Sequence, residues 1–167
     1  MAAPRLPRSS AVRFSLWLLL GLVILVLDQV TKFYFEHSFL PGDSVPVFQG
    51  FNLVLAHNTG AAFSFLADAG GWQRWGFTGL ALVVVSAMLA LLWRHNNQKL
   101  FSLSLTMIAA GAFGNMIDRA VYGFVIDFLD FYWQTWHWPA FNVADIAICL
   151  GAAGLVLDEL LNVKNRR

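Results

Sequence analysis

Asp127 and Asp145 are the two residues of this chain that packing alone explains least. Asp145 stands near the start of FNVADIAICLGAAGLVL, residues 141–157, an otherwise apolar run long enough to cross most of a bilayer. An unpaired ionised Asp in hydrocarbon costs ~2.5 to 3.5 kcal/mol even on lenient insertion scales, so an intramembrane acid points to a functional site. Asp127 lies in GFVIDFLDFYW between Val125, Ile126 and Phe128, where desolvation favours the neutral carboxyl. Brought together, two such carboxylates would share one proton. One would then serve as base and the other as acid, the arrangement that activates a water against an amide. The pair titrates as a unit, so base and acid are not assigned separately. The bland alternative for Asp145 is an interfacial cap or helix-dipole partner, and for nearby Asp130 a solvated loop carboxylate.

Other polar groups fall at spacings that could support such a pair. Asp28 and Lys32 are four apart on one helix face, an ion-pair spacing that could also serve only to neutralise both charges. GNMIDRAVYG places Asn115 and Asp118 on a shared face, with Arg119 able to hold a carboxylate or carbonyl. Helix-to-helix glue is the plainer reading of that trio. In AHNTGAAFS, Asn58 and Gly60 mark a turn where backbone can approach a ligand. The chain has no H-E-x-x-H and no G-x-S-x-G, and its four His are scattered. The single Cys149 excludes an intrachain disulfide.

The elements that must position these groups follow from composition. The 167 residues are 58% hydrophobic, 13% charged and 15% aromatic, with mean hydropathy +0.61, far from the soluble norm of about a quarter charged. An all-α integral membrane protein is expected, since only helix bundles and closed barrels satisfy every backbone group in lipid. We read residues 1–167 as a single membrane domain. Its transmembrane helices span about 14–35, 75–93, 100–117 and 139–157, with extracytoplasmic loops over about 36–74 and 119–138. The third run is rich in Gly, Ala and Ser, which permit close helix approach. Pro139 fits a helix start, which would set Asp145 roughly 9 Å down the fourth helix. Arg5, Arg8 and Arg13 before the first run also suit a secretory signal, but Asp28 and Gln29 follow where small residues would be cut, favouring a retained helix.

Arg5, Arg8, Arg13, Arg94, Lys99, Lys164, Arg166 and Arg167 fall on one side of this layout, against Lys32, Arg74 and Arg119 on the other, so both termini are expected to be cytoplasmic. Most acids gather toward the outer side. SVPVFQGFNLVLAHNTGAAFSFL reads as short strands and turns. The loop bearing Phe128, Phe131, Tyr132, Trp133, Trp136 and Trp138 reads as a membrane-surface segment and a candidate lid. A net charge of +1 argues against nucleic acid as a partner.

Five boxes, DQVTK (28–32), HNTGAAFS (57–64), GNMIDR (114–119), VIDFLDFYW (125–133) and FNVADIAI (141–148), together resemble the lipoprotein signal peptidases, also called signal peptidase II. These are membrane aspartyl proteases of bacteria. The resemblance implies removal of the signal peptide from diacylglyceryl-modified prolipoproteins, just before the lipidated Cys, with no metal or other cofactor. It implies Asp127 and Asp145 as the catalytic pair and Asn58, Gly60, Asn115, Arg119 and Asn142 as substrate-supporting residues, with Asp28 and Lys32 as the family's first polar pair, and Asp118 of the GNMIDR box is counted with the supporting residues. Four helices with a small extracytoplasmic β-element, a lipid-modified prolipoprotein and membrane lipids as partners, a monomer, and a bacterial inner-membrane location with the site near the outer surface complete the expectation. The arginine-bearing segment before Phe14 has no counterpart among the motifs. The rival reading is a small proton- or cation-coupled transporter using Asp145, although such a path would spread acids through the membrane depth. A presenilin-type protease lacks support because G-x-G-D is absent, and a structural scaffold leaves the five boxes without a reason.

Overall fold

The computed structural model describes residues 8–60 and 71–165. Ala61 to Ser64 of the second box, Asp68, and the terminal Arg5, Arg166 and Arg167 lie outside the described residues. Four helices run through it: α1 (Arg8–Ser38), α2 (Trp72–His95), α3 (Lys99–Val121) and α4 (Val143–Asn165). Each contains a stretch long and apolar enough to cross a membrane, the shortest being Val143–Val163 with 21 residues. Leu19, Leu22, Val83 and Val156 are exposed on α1, α2 and α4. Aliphatic side chains turned outward are at no cost when the surroundings are acyl chains.

Helix α3 is the hub and packs against the other three. Its small residues make this possible. A Cβ on Gly111 would collide with the Ala144 carbonyl of α4, and one on Gly114 with the Asp28 carboxylate of α1. From the opposite side, a Cβ on Gly151 or Gly154 of α4 would collide with Ser104. The α3–α4 backbones therefore approach at a separation that only glycine permits.

Beyond one end of the bundle, strands β1 (Ser44–Phe48), β2 (Phe51–Asn58), β3 (Val125–Trp133) and β4 (Trp136–His137) form an antiparallel sheet in the order β1-β2-β3-β4. The strands read between residues 44 and 58 are present. The aromatic stretch after α3, expected as a surface loop, is instead the strand that completes this sheet. It pairs with β2 at Asn52↔Asp130, Ala56↔Asp127 and Asn58↔Val125. Phe128 turns inward, stacking on Phe35 of α1 with ring centroids 4.3 Å apart, and joins Leu55 and Ile126 in the core beneath the sheet. Trp133, 76% exposed, Trp136 and Trp138 do project outward.

The fourth helix begins four residues later than Pro139 suggests. Residues 138–141 run back along β3, where Phe141 forms a bridge with Leu129. The restriction that proline places on Trp138 favours this extended path. The helix starts instead where Asn142 can cap it. The Asn142 Oδ1 accepts the Asp145 N–H at 2.9 Å, and the Asp145 carboxylate accepts the Asn142 N–H at 3.3 Å. This reciprocal pair is a capping box.

Candidate active site

The capping box places Asp145 in the first turn of α4, at the edge of the bundle rather than deep inside it. Strand β3 delivers Asp127 to the same place. The two carboxylates are linked by amides. Asn142 donates from Nδ2 to Asp127 Oδ1 at 2.7 Å, Asn58 of β2 donates to Asp127 Oδ2 at 3.1 Å, and Asn115 of α3 donates to Asp145 Oδ1 at 2.8 Å. Burial first, and then the charge of Asp145, push the Asp127 carboxyl up to about 7, against the pull of Asn58, Asn142 and the Lys32 ammonium. A carboxyl so placed holds a proton near neutral pH beside a second carboxylate.

Behind this pair lies a second polar layer. Lys32, 1% exposed, contacts Asp28 at 3.0 Å, Asp118 at 2.8 Å and the Asn115 Oδ1 at 2.8 Å. Asp28 also accepts the Ala144 N–H at 2.9 Å, securing α1 to the start of α4. Asn115 and Asp118 thus do share a face, and the i, i+4 pair on α1 extends into a network joining three helices. Gln29 completes it by donating to Asp28 and Asp118, each at 3.1 Å, and to the Gly114 carbonyl. Gln29 is not among the residues that the motifs single out, and its one signal in the sequence is an uncharged polar side chain beside Asp28 in an apolar helix.

Arg119 reaches across to the 57–60 turn, donating from Nη2 to the Gly60 carbonyl at 2.8 Å and from Nη1 to the Asn115 carbonyl at 3.3 Å. Its Nε is buried without a partner among the described residues. Arg74, at the start of α2, donates to the Arg119 and Ala120 carbonyls at 2.8 and 2.7 Å, satisfying the otherwise orphaned end of α3. All ten residues singled out in the sequence therefore fall into one contiguous assembly.

Asp130 does not belong to it, and neither is it a solvated loop carboxylate. It is buried, accepting from Asn52 at 2.9 Å on the neighbouring strand and lying 2.9 Å from His137 Nδ1 on β4. The reason is register: Asn52 is directly opposite Asp130 on β2. It joins three strands.

A groove of about 630 Å³ opens beside Asp145. Among the described residues, Asn58, Asn115, Arg119 and Asp145 line its polar end, and Val84, Ile108 and Leu150 belong to its apolar wall. No cluster of three or more His, Cys, Asp or Glu that could hold a metal is formed among the described residues.

Four membrane-crossing helices capped by a small sheet are the fold of a bacterial membrane enzyme. Two solved structures of such enzymes superpose with TM-scores of 0.82 and 0.75, each 26% identical, the first covering 92% of both chains and the second 87% of this chain and 93% of its own. The family model described as Signal peptidase (SPase) II matches residues 20–161, and the chain belongs to that family. Lipoprotein signal peptidases of Cupriavidus pinatubonensis and Burkholderia mallei are 58% and 50% identical to it. The first alignment covers 89% of this chain and 85% of the relative, the second 99% of both. The transporter reading finds no support among these relatives.

Proposed function

We propose that this protein removes signal peptides from bacterial prolipoproteins, with Asp127 and Asp145 activating the water that cleaves the bond. The observation that carries this reading is the convergence of the two carboxylates on Asn142, whose side-chain amide donates to Asp127 and whose backbone N–H donates to Asp145. The ionised member takes a proton from water, which attacks the scissile carbonyl carbon. The protonated member supports the developing oxyanion, and the leaving amine is protonated as the C–N bond breaks. Arg119 and Asn115, at the polar end of the groove, hold the substrate backbone in line.

The groove suits a substrate that is itself an apolar segment ending at the membrane edge. By family resemblance, the bond cut is the one before a diacylglyceryl-modified Cys, in the inner membrane, by a monomer surrounded by its lipids. The distribution of Lys and Arg supports cytoplasmic termini and a site at the outer surface. The β3–β4 hairpin, with its exposed Trp133 and Trp136, serves as a lid. Deleting those rings with no change in affinity or turnover would remove that role.

The test is cleavage of a diacylglyceryl-modified prolipoprotein by purified protein in detergent, comparing wild type with Asp127→Asn and Asp145→Asn at matched folding. Both variants are expected to yield no product. Retained cleavage in either would reduce that aspartate to a structural cap.

A further inference from the structure

The buried ammonium of Lys32 has all three of its protons committed, to Asp28, Asp118 and the Asn115 Oδ1 at 3.0, 2.8 and 2.8 Å. It has no lone pair to offer, so it is not a general base. One of its three partners, however, is the amide that touches Asp145. An Asn side chain is nearly the same shape with its oxygen and nitrogen exchanged, and only its partners decide which way it faces. Asn115 Oδ1 receives Lys32 and, at 3.3 Å, Asn142 Nδ2, which leaves its Nδ2 toward Asp145. Reversed, the amide would set a carbonyl oxygen against a carboxylate. Lys32 can only donate, and this is what forbids the reversal. The same cluster fixes the other side of the acid, since Asp28 accepts the N–H of Ala144, the residue before Asp145.

We propose that Lys32 is a positioning residue for the cleavage reaction: by donating to the Asn115 oxygen it dictates the orientation of that amide and so keeps a hydrogen-bond donor on the Asp145 carboxylate. The inference rests on the carboxylate-pair reading of the site. It differs from a role in folding alone, because a purely structural ion pair would act without regard to Asn115.

The experiment is a double-mutant cycle on prolipoprotein cleavage in detergent, with thermal unfolding followed in parallel. Lys32→Met would leave two buried carboxylates unpaired, so the cycle is run in an Asp118→Asn background. There Lys32→Met and Asn115→Leu are each expected to lower kcat about 10- to 100-fold, the scale seen when supporting partners of a reacting group are lost, with KM changed less than about twofold. Their combination is expected to cost no more than about threefold beyond the larger single effect. Effects that multiply would overturn the proposal.

The charged groups in contact with Lys32 are Asp28 on its own helix and Asp118 on α3; its charge also acts on Asp127 of β3 and Asp145 of α4, as does that of Arg119. Removing the cation also disfavours ionised Asp127 directly, so kcat is compared at the pH optimum of each variant, which separates that charge effect from the loss transmitted through Asn115. Asn115→Asp is a second variant in the otherwise native chain. It supplies Lys32 with a carboxylate and should fold, yet it turns an acceptor toward Asp145 and is expected to lose turnover; an active Asn115→Asp would overturn the assignment. Asp127→Asn, run alongside, reports separately on the carboxylate pair: if it cleaves, that reading fails whatever the Lys32 cycle shows.

Discussion

Asn142 Nδ2 lies 2.7 Å from Asp127 Oδ1 while its own Oδ1 holds the Asp145 N–H at 2.9 Å. One side chain thereby starts a helix and sets the spacing of two acids. The helix-cap reading of Asp145 and the functional reading are therefore not alternatives. The cap is how a carboxylate is held at the membrane edge in a defined orientation, with the N-terminal dipole of α4 favouring its charge.

Replacing Asn142 separates these two roles by their size. Asn142→Ala removes the helix cap, at a cost of about 1 kcal/mol, and also the donor on Asp127. Turnover is expected to fall far more than stability does, by about 100-fold, measured as kcat beside the unfolding temperature in detergent.

Asp127, pushed up to about 7 by its burial and by Asp145, makes both activity and stability depend on pH. The pair needs one shared proton, so kcat/KM is expected to decline on the alkaline side with a midpoint near that value. The sign for stability follows from linkage. The folded state holds this proton more tightly than the unfolded chain, so stability is lost as pH rises from the unfolded value of 3.8 toward about 7, and is level above that. The unfolding temperature of wild type minus that of Asp127→Asn should therefore drop across this window. Any constant offset from the altered hydrogen bonds cancels in the difference, and a flat difference would contradict the raised carboxyl.

Asp130 is three residues from Asp127 and carries the same carboxyl group, yet it ties strands together through Asn52 and His137. Asp130→Asn is expected to retain cleavage within a few-fold of wild type while losing about 1 kcal/mol of stability. A loss of activity as deep as that of Asp127→Asn would place Asp130 in the reacting group.

Gly114→Ala and Gly79→Ala make a paired test of helix packing. Alanine favours a helix over glycine by up to about 1 kcal/mol, and a Cβ on Gly79 would meet nothing within 4 Å among the described residues, so its substitution should be neutral or stabilising. At Gly114 the added methyl meets the Asp28 carboxylate, and a loss of about 1 to 3 kcal/mol is expected. Thermal unfolding of the two variants, read against wild type in the same detergent, separates the two sites; a Gly114→Ala protein as stable as Gly79→Ala would mean that α1 and α3 have room to part.

Arg119→Lys keeps the charge but gives up the planar fork that spans the Gly60 and Asn115 carbonyls. A fall in kcat/KM of about 10-fold or more is expected. Equal activity in the two proteins, measured on the same lipid-modified substrate, would show that a point charge is enough there.

The linear order of residues by itself determined the membrane class and the four crossings and made Asp28, Lys32, Asp127 and Asp145 stand out, because hydrocarbon tolerates few charges and each one left among apolar residues is conspicuous; Asn58 and Gly60 marked only a turn, and Asn142 stood out only through its motif's resemblance to the family. It also contained the strands of residues 44–58, through their β-branched and aromatic runs. Tertiary structure decided the rest. VIDFLDFYW carries two acids in similar apolar settings, and only the pairing of β3 with β2 sends Asp130 to Asn52 and leaves Asp127 facing Asn58 and Asn142. Pro139 is a sound helix-start signal, yet the cap at Asn142 prevailed because residues 138–141 find hydrogen bonds along β3 instead. Lys32 could be seen to pair with Asp28 four residues away, but not to orient Asn115, 83 positions further along the chain. Local spacing reports on neighbours along one helix; contacts between elements depend on how closely they approach, which here is set by glycines that carry no chemistry of their own.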